Sequence, residues 1–315
     1  MKPPVDWQAE RSPEGILLVD KPAGVSSHAV VARVRKAFSI RKVGHAGTLD
    51  PDATGLLVVG VGRATRLLGY LTKTMKSYTS TIRLGVGTDT DDAAGQVLDM
   101  VGCHDVTDDQ VRSALSSQVG TIEQVPSAVS AVKVDGKRAY SRVRAGESVE
   151  LAARSVTIHA LDVLGIHREV LRSEIDSVTV VDVDIEVTCS AGTYIRAIAR
   201  DVGASLEVGG HVVTLRRTRA GDFHIGEARS LQDVTEAGSQ SRRWLMSMRD
   251  AAMRSMPHIL IDDESARAVR HGRRISWPAE GNSPTPEPTA LIDADSLVGI
   301  AERSGAQARY LAVFD

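Results

Sequence analysis

From Val178 to Cys189 the chain shows its clearest strand, alternating regularly from Val181 to Thr188. Val181, Val183, Ile185 and Val187 fall on one face of a strand, and polar residues fall on the other. A strand of this kind has to be buried on one side. Thr193 then opens a helix with Ile195, Ile198, Ala199, Val202 and Leu206 at helical spacing. The same alternation returns over Tyr78–Gly87: Ile82, Leu84 and Val86 share a face with Tyr78 and Ser80, while Thr79, Thr81 and Arg83 share the other. Ile16–Asp20 is a short apolar run that ends in a Lys-Pro-Ala-Gly turn, and Leu56–Val61 reads as a buried strand. Between these lie helices. Ser26 or Ser27 caps one whose apolar stripe is Val30, Val31, Val34 and Phe38. Thr107 to Gln110 is a capping box for another, with Val111, Leu115 and Val119 on one side and Gly120 as its stop. Some strands are adjacent in sequence and others are separated by helices. That mixture predicts an α+β fold with a mixed, largely antiparallel sheet flanked by helices.

The 315 residues suffice for a large domain plus a small one. The character changes near Asp250. A short helix is expected over Asp262–Arg270, stopped near Gly272, followed by a Pro-rich linker at 281–289 and strand-like pieces up to Phe314. The expected division is therefore 1–250 and 251–315, and no internal repeat is found. The N-terminus has no apolar core of a signal peptide, and no run approaches the roughly 18 apolar residues of a membrane span. Cys103 and Cys189 lie far apart and fit no metal-ligand spacing, so two free thiols in a reducing cytoplasm are expected. No metal is expected. Gly60-Val-Gly62 and Gly85-Val-Gly87 lack the rest of a phosphate-binding fingerprint, so no nucleotide cofactor is expected either.

The net charge of −2 argues weakly against a polyanionic partner, but the charges are segregated. No acid lies between Asp20 and Asp50, a stretch that holds Lys21, Arg33, Arg35, Lys36, Arg41 and Lys42. Lys133, Lys137, Arg138, Arg142 and Arg144 share their segment with Asp135 alone, and Arg216, Arg217 and Arg219 are uncompensated. Asp89, Asp91, Asp92, Asp99, Asp105, Asp108 and Asp109 gather elsewhere. One basic face for a polyanion with an acidic face turned away would fit this pattern, and ordinary solvated charge runs fit it equally.

The stretch Gly44-His-Ala-Gly-Thr-Leu-Asp-Pro-Asp-Ala-Thr-Gly55 reads as a loop in which glycines allow tight turns and close approach. Pro51 keeps Asp50 extended, and a buried strand follows. A carboxylate is thus presented from a rigid base beside a basic segment. An Asp-Pro turn with no chemical role reads from the same residues.

This stretch closely resembles the signature loop of the bacterial tRNA pseudouridine-55 synthases, the TruB family. Asp20–His28 (DKPAGVSSH) resembles the family's first motif, and Lys76-Ser-Tyr78 its tyrosine motif. Cys189–Arg196 (CSAGTYIR) resembles its arginine motif and His211–Arg217 its last core motif. The five motifs stand in family order over about residues 15–225. The resemblance implies the pseudouridine synthase fold with a small C-terminal PUA-like RNA-binding domain. It implies an isomerase that converts uridine-55 in the T-arm loop of tRNA to pseudouridine by base flipping.

The resemblance also assigns roles. Asp50 is the catalytic carboxylate, acting either by attack at C1′ or through another sugar intermediate. Arg196 pairs with it, and Tyr78 stacks on the target base and assists proton transfer. His45 stacks within the distorted RNA loop, Leu215 walls the uracil pocket, and Lys21 and Tyr194 buttress the site. Asp52 is read as an exposed loop residue. Residues 123–151, with Tyr140, resemble the thumb-like insertion of the stand-alone enzymes, which implies a chain that finds tRNA without a guide RNA; a monomer is expected. A guide-dependent or rRNA-directed synthase, a tRNA-folding chaperone and a glycosidase are the rival readings.

Overall fold

The computed structural model describes residues 12–72, 74–127, 151–172, 177–277 and 287–314, and the backbone of two short paired strands, Lys133–Val134 and Lys137–Arg138. The chain forms two compact units. One holds Met1–Pro51, Gly55–Lys73 and Gly221–Asp315; the other holds Asp52–Thr54 and Thr74–Ala220.

In the first unit the strand Gly15–Lys21 pairs antiparallel with Thr54–Val61 and parallel with Arg229–Ser230. The helix Ser27–Phe38 buries Val30, Val31, Val34 and Phe38 against Leu17, Val19, Leu57 and Val59. Its cap is Ser26, whose hydroxyl accepts the Ala29 N–H. Ser39 ends it in the left-handed region at φ 53°. Part of the stretch read as a glycine-rich loop is a strand: Val43–Ala46 pairs antiparallel with Val58–Val61. Two intervening residues, Gly44 and His45, hide it from a periodicity reading. Gly44 packs closely here, since a Cβ there would stand 3.1 Å from Leu68 Cδ1.

The same unit carries a four-stranded sheet in the order His258–Leu260, Thr289–Ile292, Leu297–Ser304, Gln307–Val313. The first pair is parallel and the rest antiparallel. The helix Asp263–Arg270, capped by Asp262, closes a small core with Ile259, Ala266, Val269, Leu291, Val298 and Ala301. Residues 278–286, most of the expected linker, lie outside the described residues.

The second unit is built on five antiparallel strands in the order Gly210–Ala220, Lys76–Leu84, Ser177–Cys189, Arg154–Arg172, Gly120–Gln124. The two alternating stretches of the sequence are therefore neighbours. The helix Ile195–Ser205 buries Ile195, Ile198, Ala199 and Val202. It begins one residue later than expected. Tyr194 is the N-cap, while the Thr193 hydroxyl donates to the Ser190 carbonyl and closes the preceding turn. The capping box at Thr107 is present and starts a helix over Asp108–Ser116. That helix stops earlier than expected: Val119 is exposed, and Gly120, at φ 109°, begins the next strand. Both cysteines are buried and free, and burial pushes each thiol up to about 11, so they stay protonated. Among the described residues no helix is long and apolar enough to cross a membrane.

The arginine-bearing helix lies backbone-on-backbone against the turn that follows it. A Cβ on Gly203 would stand 2.3 Å from the Gly209 carbonyl carbon, and one on Gly210 would stand 2.4 Å from the Ala199 oxygen. Gly203→Ala is therefore expected to lower stability by about 1–3 kcal/mol or more through overpacking. Urea unfolding of the variant against Gly226→Ala, where a Cβ meets nothing within 4 Å, checks this.

Candidate active site

Asp50 is half-buried on a short loop whose flanks are fixed from both sides. The residue before it, Leu49, is held by Ser27: the buried hydroxyl accepts the Leu49 N–H and donates to the Leu49 carbonyl, both at 2.9 Å. The residue after it, Pro51, gives its carbonyl to Lys21 Nζ at 2.7 Å. Lys21 is fully buried and also donates to the Val25 carbonyl at 2.6 Å and the Pro22 carbonyl at 2.9 Å. One ammonium thus ties the Lys-Pro-Ala-Gly turn to the Asp-Pro turn. Gly47, at φ 79°, supplies the left-handed residue the loop needs. Asp52 is exposed, as expected.

His45 lies on the Val43–Ala46 strand, half-buried, with its ring edge-on to His28 at 5.4 Å and 85°. Arg33, Arg35, Lys36, Arg41 and Lys42 are all exposed, and the Arg35 guanidinium reaches the Val43 carbonyl at 2.9 Å. Sequence reasoning makes Ser27 a possible helix cap and gives His28 no role; the structure sets Ser27 on Leu49 and His28 against His45. Both lie inside the first motif, but nothing in local periodicity shows that they reach across 22 and 17 positions.

Tyr78 is buried in the strand Lys76–Leu84. In register it faces Val187 on one side and Arg217 on the other. Arg217 is 1% exposed, so this member of the uncompensated basic trio is a core residue and not a surface cation for a polyanion. A strand alternates its faces, so neighbours in sequence do not share one surface. Lys76 shares the face of Tyr78 and is buried too; burial first, then the charge of Arg217, brings its ammonium down to about 8. Leu215, half-buried, stands opposite Ser80 on the neighbouring strand.

Arg196 sits in the first turn of its helix and is 4% exposed. Its Nη1 donates to the Thr90 carbonyl at 2.8 Å, to Asp92 Oδ2 at 3.1 Å and to Ser127 Oγ at 3.4 Å. The other Asp92 oxygen accepts from the Thr90 hydroxyl at 2.6 Å and the Ala94 N–H at 3.1 Å. One helical turn on, Arg200 meets Asp91 at 3.2 Å. Asp91 is buried with a left-handed backbone, φ 58°, and burial holds its carboxyl above the ordinary value even against Arg200. Two members of the acidic group are therefore not on a face turned away. They brace the arginine helix, which charge counting along the sequence could not reveal.

Lys21, His45 and Asp50 thus belong to the first unit, and Tyr78, Tyr194, Arg196 and Leu215 to the second. Of the thumb-like segment, residues 128–150 lie outside the described residues apart from the backbone of the two short strands, and Tyr140, Arg142 and Arg144 are among them.

Residues 35–195 match the family described as TruB family pseudouridylate synthase (N terminal domain), and residues 196–253 match the tRNA pseudouridylate synthase B C-terminal domain. The chain belongs to the TruB family of pseudouridylate synthases. It is 48% identical over 286 residues to the tRNA pseudouridine synthase B of Mycobacteroides abscessus, covering 90% of each chain. It is 51% identical over 268 residues to that of Cutibacterium acnes, covering 84% of this chain and 87% of the other. The fold is similar to an archaeal box H/ACA sRNP Nop10-Cbf5 complex, with a TM-score of 0.70 and 26% identity, covering 100% of this chain and 89% of that one.

Within this TruB-family chain the Lys21 tie is open to a direct test. Lys21→Met keeps the length of the stem and removes the donor. It is expected to cost about 1–3 kcal/mol for each carbonyl left unsatisfied. Urea unfolding should show a loss of that order, against little change for Lys42→Met, whose side chain is exposed.

Proposed function

We propose that this chain isomerises uridine-55 in the T-arm loop of tRNA to pseudouridine, with Asp50 as its catalytic carboxylate. The observation that carries the reading is the fixing of Asp50 from both sides, by Ser27 at Leu49 and by Lys21 at Pro51. The reaction opens the N1–C1′ bond, turns the base and rejoins it through C5. The C5 proton leaves and N1 gains one, so nothing is released. A carboxylate can serve such a reaction at the sugar, by bonding C1′ or by taking a sugar proton. Its placement matters more than its number, because a group held in attack geometry saves much of the barrier that orientation would impose.

Arg196 is the cation that serves this carboxylate, already oriented by Asp92, Thr90 and Ser127. Tyr78 stacks on the extruded base and assists transfer of the C5 proton, with Leu215 as the apolar wall of the uracil site. Extrusion costs a few kcal/mol, offset by stacking on Tyr78 and His45 and by phosphate contacts from the exposed cations at Arg33–Lys42. Residues 251–315 act as a small PUA-like RNA-binding module. Relatives over most of its length that are named tRNA pseudouridine synthase B support tRNA as the substrate. The chain works in the cytoplasm as a monomer without a guide RNA.

Asp50→Asn keeps the shape and removes the charge. It is expected to abolish pseudouridine formation in single-turnover assays while tRNA affinity stays within about twofold. Substantial residual turnover would overturn the assignment. The same variant separates isomerisation from any tRNA-refolding activity, which should survive. Tyr78→Phe should bind tRNA normally and turn over slowly, and Phe as fast as Tyr would leave the residue a stacking role alone.

A further inference from the structure

We infer that Gln124 is a positioning residue for Arg196, an inference that rests on the reading that Arg196 serves the reaction. Gln124 ends the edge strand Gly120–Gln124 and is 1% exposed. A buried side-chain amide needs partners at both ends. Gln124 finds both on one residue: Oε1 accepts the Tyr194 N–H at 2.8 Å, and Nε2 donates to the Tyr194 carbonyl at 3.1 Å. The side chain so completes a ladder rung that no strand supplies.

Tyr194 is the N-cap of the arginine helix, and its own side chain makes no cap hydrogen bond. Its carbonyl also accepts the Ile198 N–H at 3.4 Å, the bond that starts the helix. Gln124 therefore sets where the helix begins and the direction in which the chain enters it. Arg196 is the second helical residue, too close to the start for later turns to correct an error there.

The residues after Gln124 continue the same brace. The Val125 carbonyl accepts from Arg200 Nη2 at 2.8 Å. Ser127, fully buried, donates to the Thr90 carbonyl at 3.0 Å and accepts from Arg196 Nη1 at 3.4 Å. One short segment thus fixes the helix entry, its second turn and the guanidinium itself. A shift of the helix start moves the guanidinium relative to Thr90 and Asp92, and displacements on the order of 1 Å at a catalytic group can cost about a hundredfold in rate.

The test uses the full chain with Gln124→Leu, which removes both bonds, and Gln124→Glu, which keeps an acceptor for the Tyr194 N–H and has no donor for its carbonyl. Both should melt as folded proteins and bind tRNA within about twofold of the parent. Both should turn over about ten- to a hundredfold more slowly in single-turnover assays. In an Arg196→Lys background the same substitutions should slow turnover by less than about threefold, because what Gln124 positions is gone. Parental turnover in a folded variant, or an equal loss in both backgrounds, would overturn the positioning role. So would failure of both variants to fold, which would make Gln124 structural. If Gln124→Leu alone fails to fold, Gln124→Glu decides by the same criteria. Parental turnover in Arg196→Lys itself would overturn the reading of Arg196 and the inference with it. A slow Arg196→Lys beside fast Gln124 variants would overturn the inference alone.

Discussion

A cation taken out of water has to be met by oxygens, and among the described residues four are buried: Lys21, Lys76, Arg196 and Arg217. For two of them the oxygens come from loops far away in sequence. Lys21 gathers carbonyls from its own turn and from Pro51, 30 residues on. Arg196 gathers the Thr90 carbonyl and Asp92, more than 100 residues back. Removing Lys21 would take a donor from three carbonyls, and removing Arg196 would take the cation from beside Asp92. The carboxylate loop and the arginine helix are in this sense built around buried ions, each within its own unit.

Much of the framework was legible in the sequence because it follows local rules. The strands at Tyr78 and Val181 show their alternation, and Thr107 with Gln110 forms the capping box that its spacing implies. The motifs place Asp50 on a turn and Arg196 in the first turn of a helix. What escaped a sequence reading depends on partners that no local pattern encodes. Val43–Ala46 is a strand because Val58–Val61 pairs with it. Arg217 is a core residue because its strand turns that face inward, while sequence grouping made it a surface cation. Asp91 and Asp92 read as solvated acids until the fold set Arg200 and Arg196 beside them. Ser27 read as a possible helix cap, whereas its hydroxyl spans the backbone of Leu49.

These long-range ties suit an enzyme that has to hold a base still while it is turned and rejoined. Asp50 and Arg196 each sit on a segment whose position is set by hydrogen bonds on neighbouring backbone, Asp50 through Leu49 and Pro51 and Arg196 through Tyr194. Segments fixed beforehand are where preorganised sites gain over flexible ones. Exposed cations along Arg33–Lys42 supply attraction for a polyanion without imposing sequence.

The claim that one T-arm uridine is the substrate is tested most directly by base-resolved pseudouridine mapping of an unmodified tRNA incubated with the purified chain. A single new pseudouridine, at position 55, with no uracil released, is the expected result. Modification at another position, no modification, or release of the free base would contradict it.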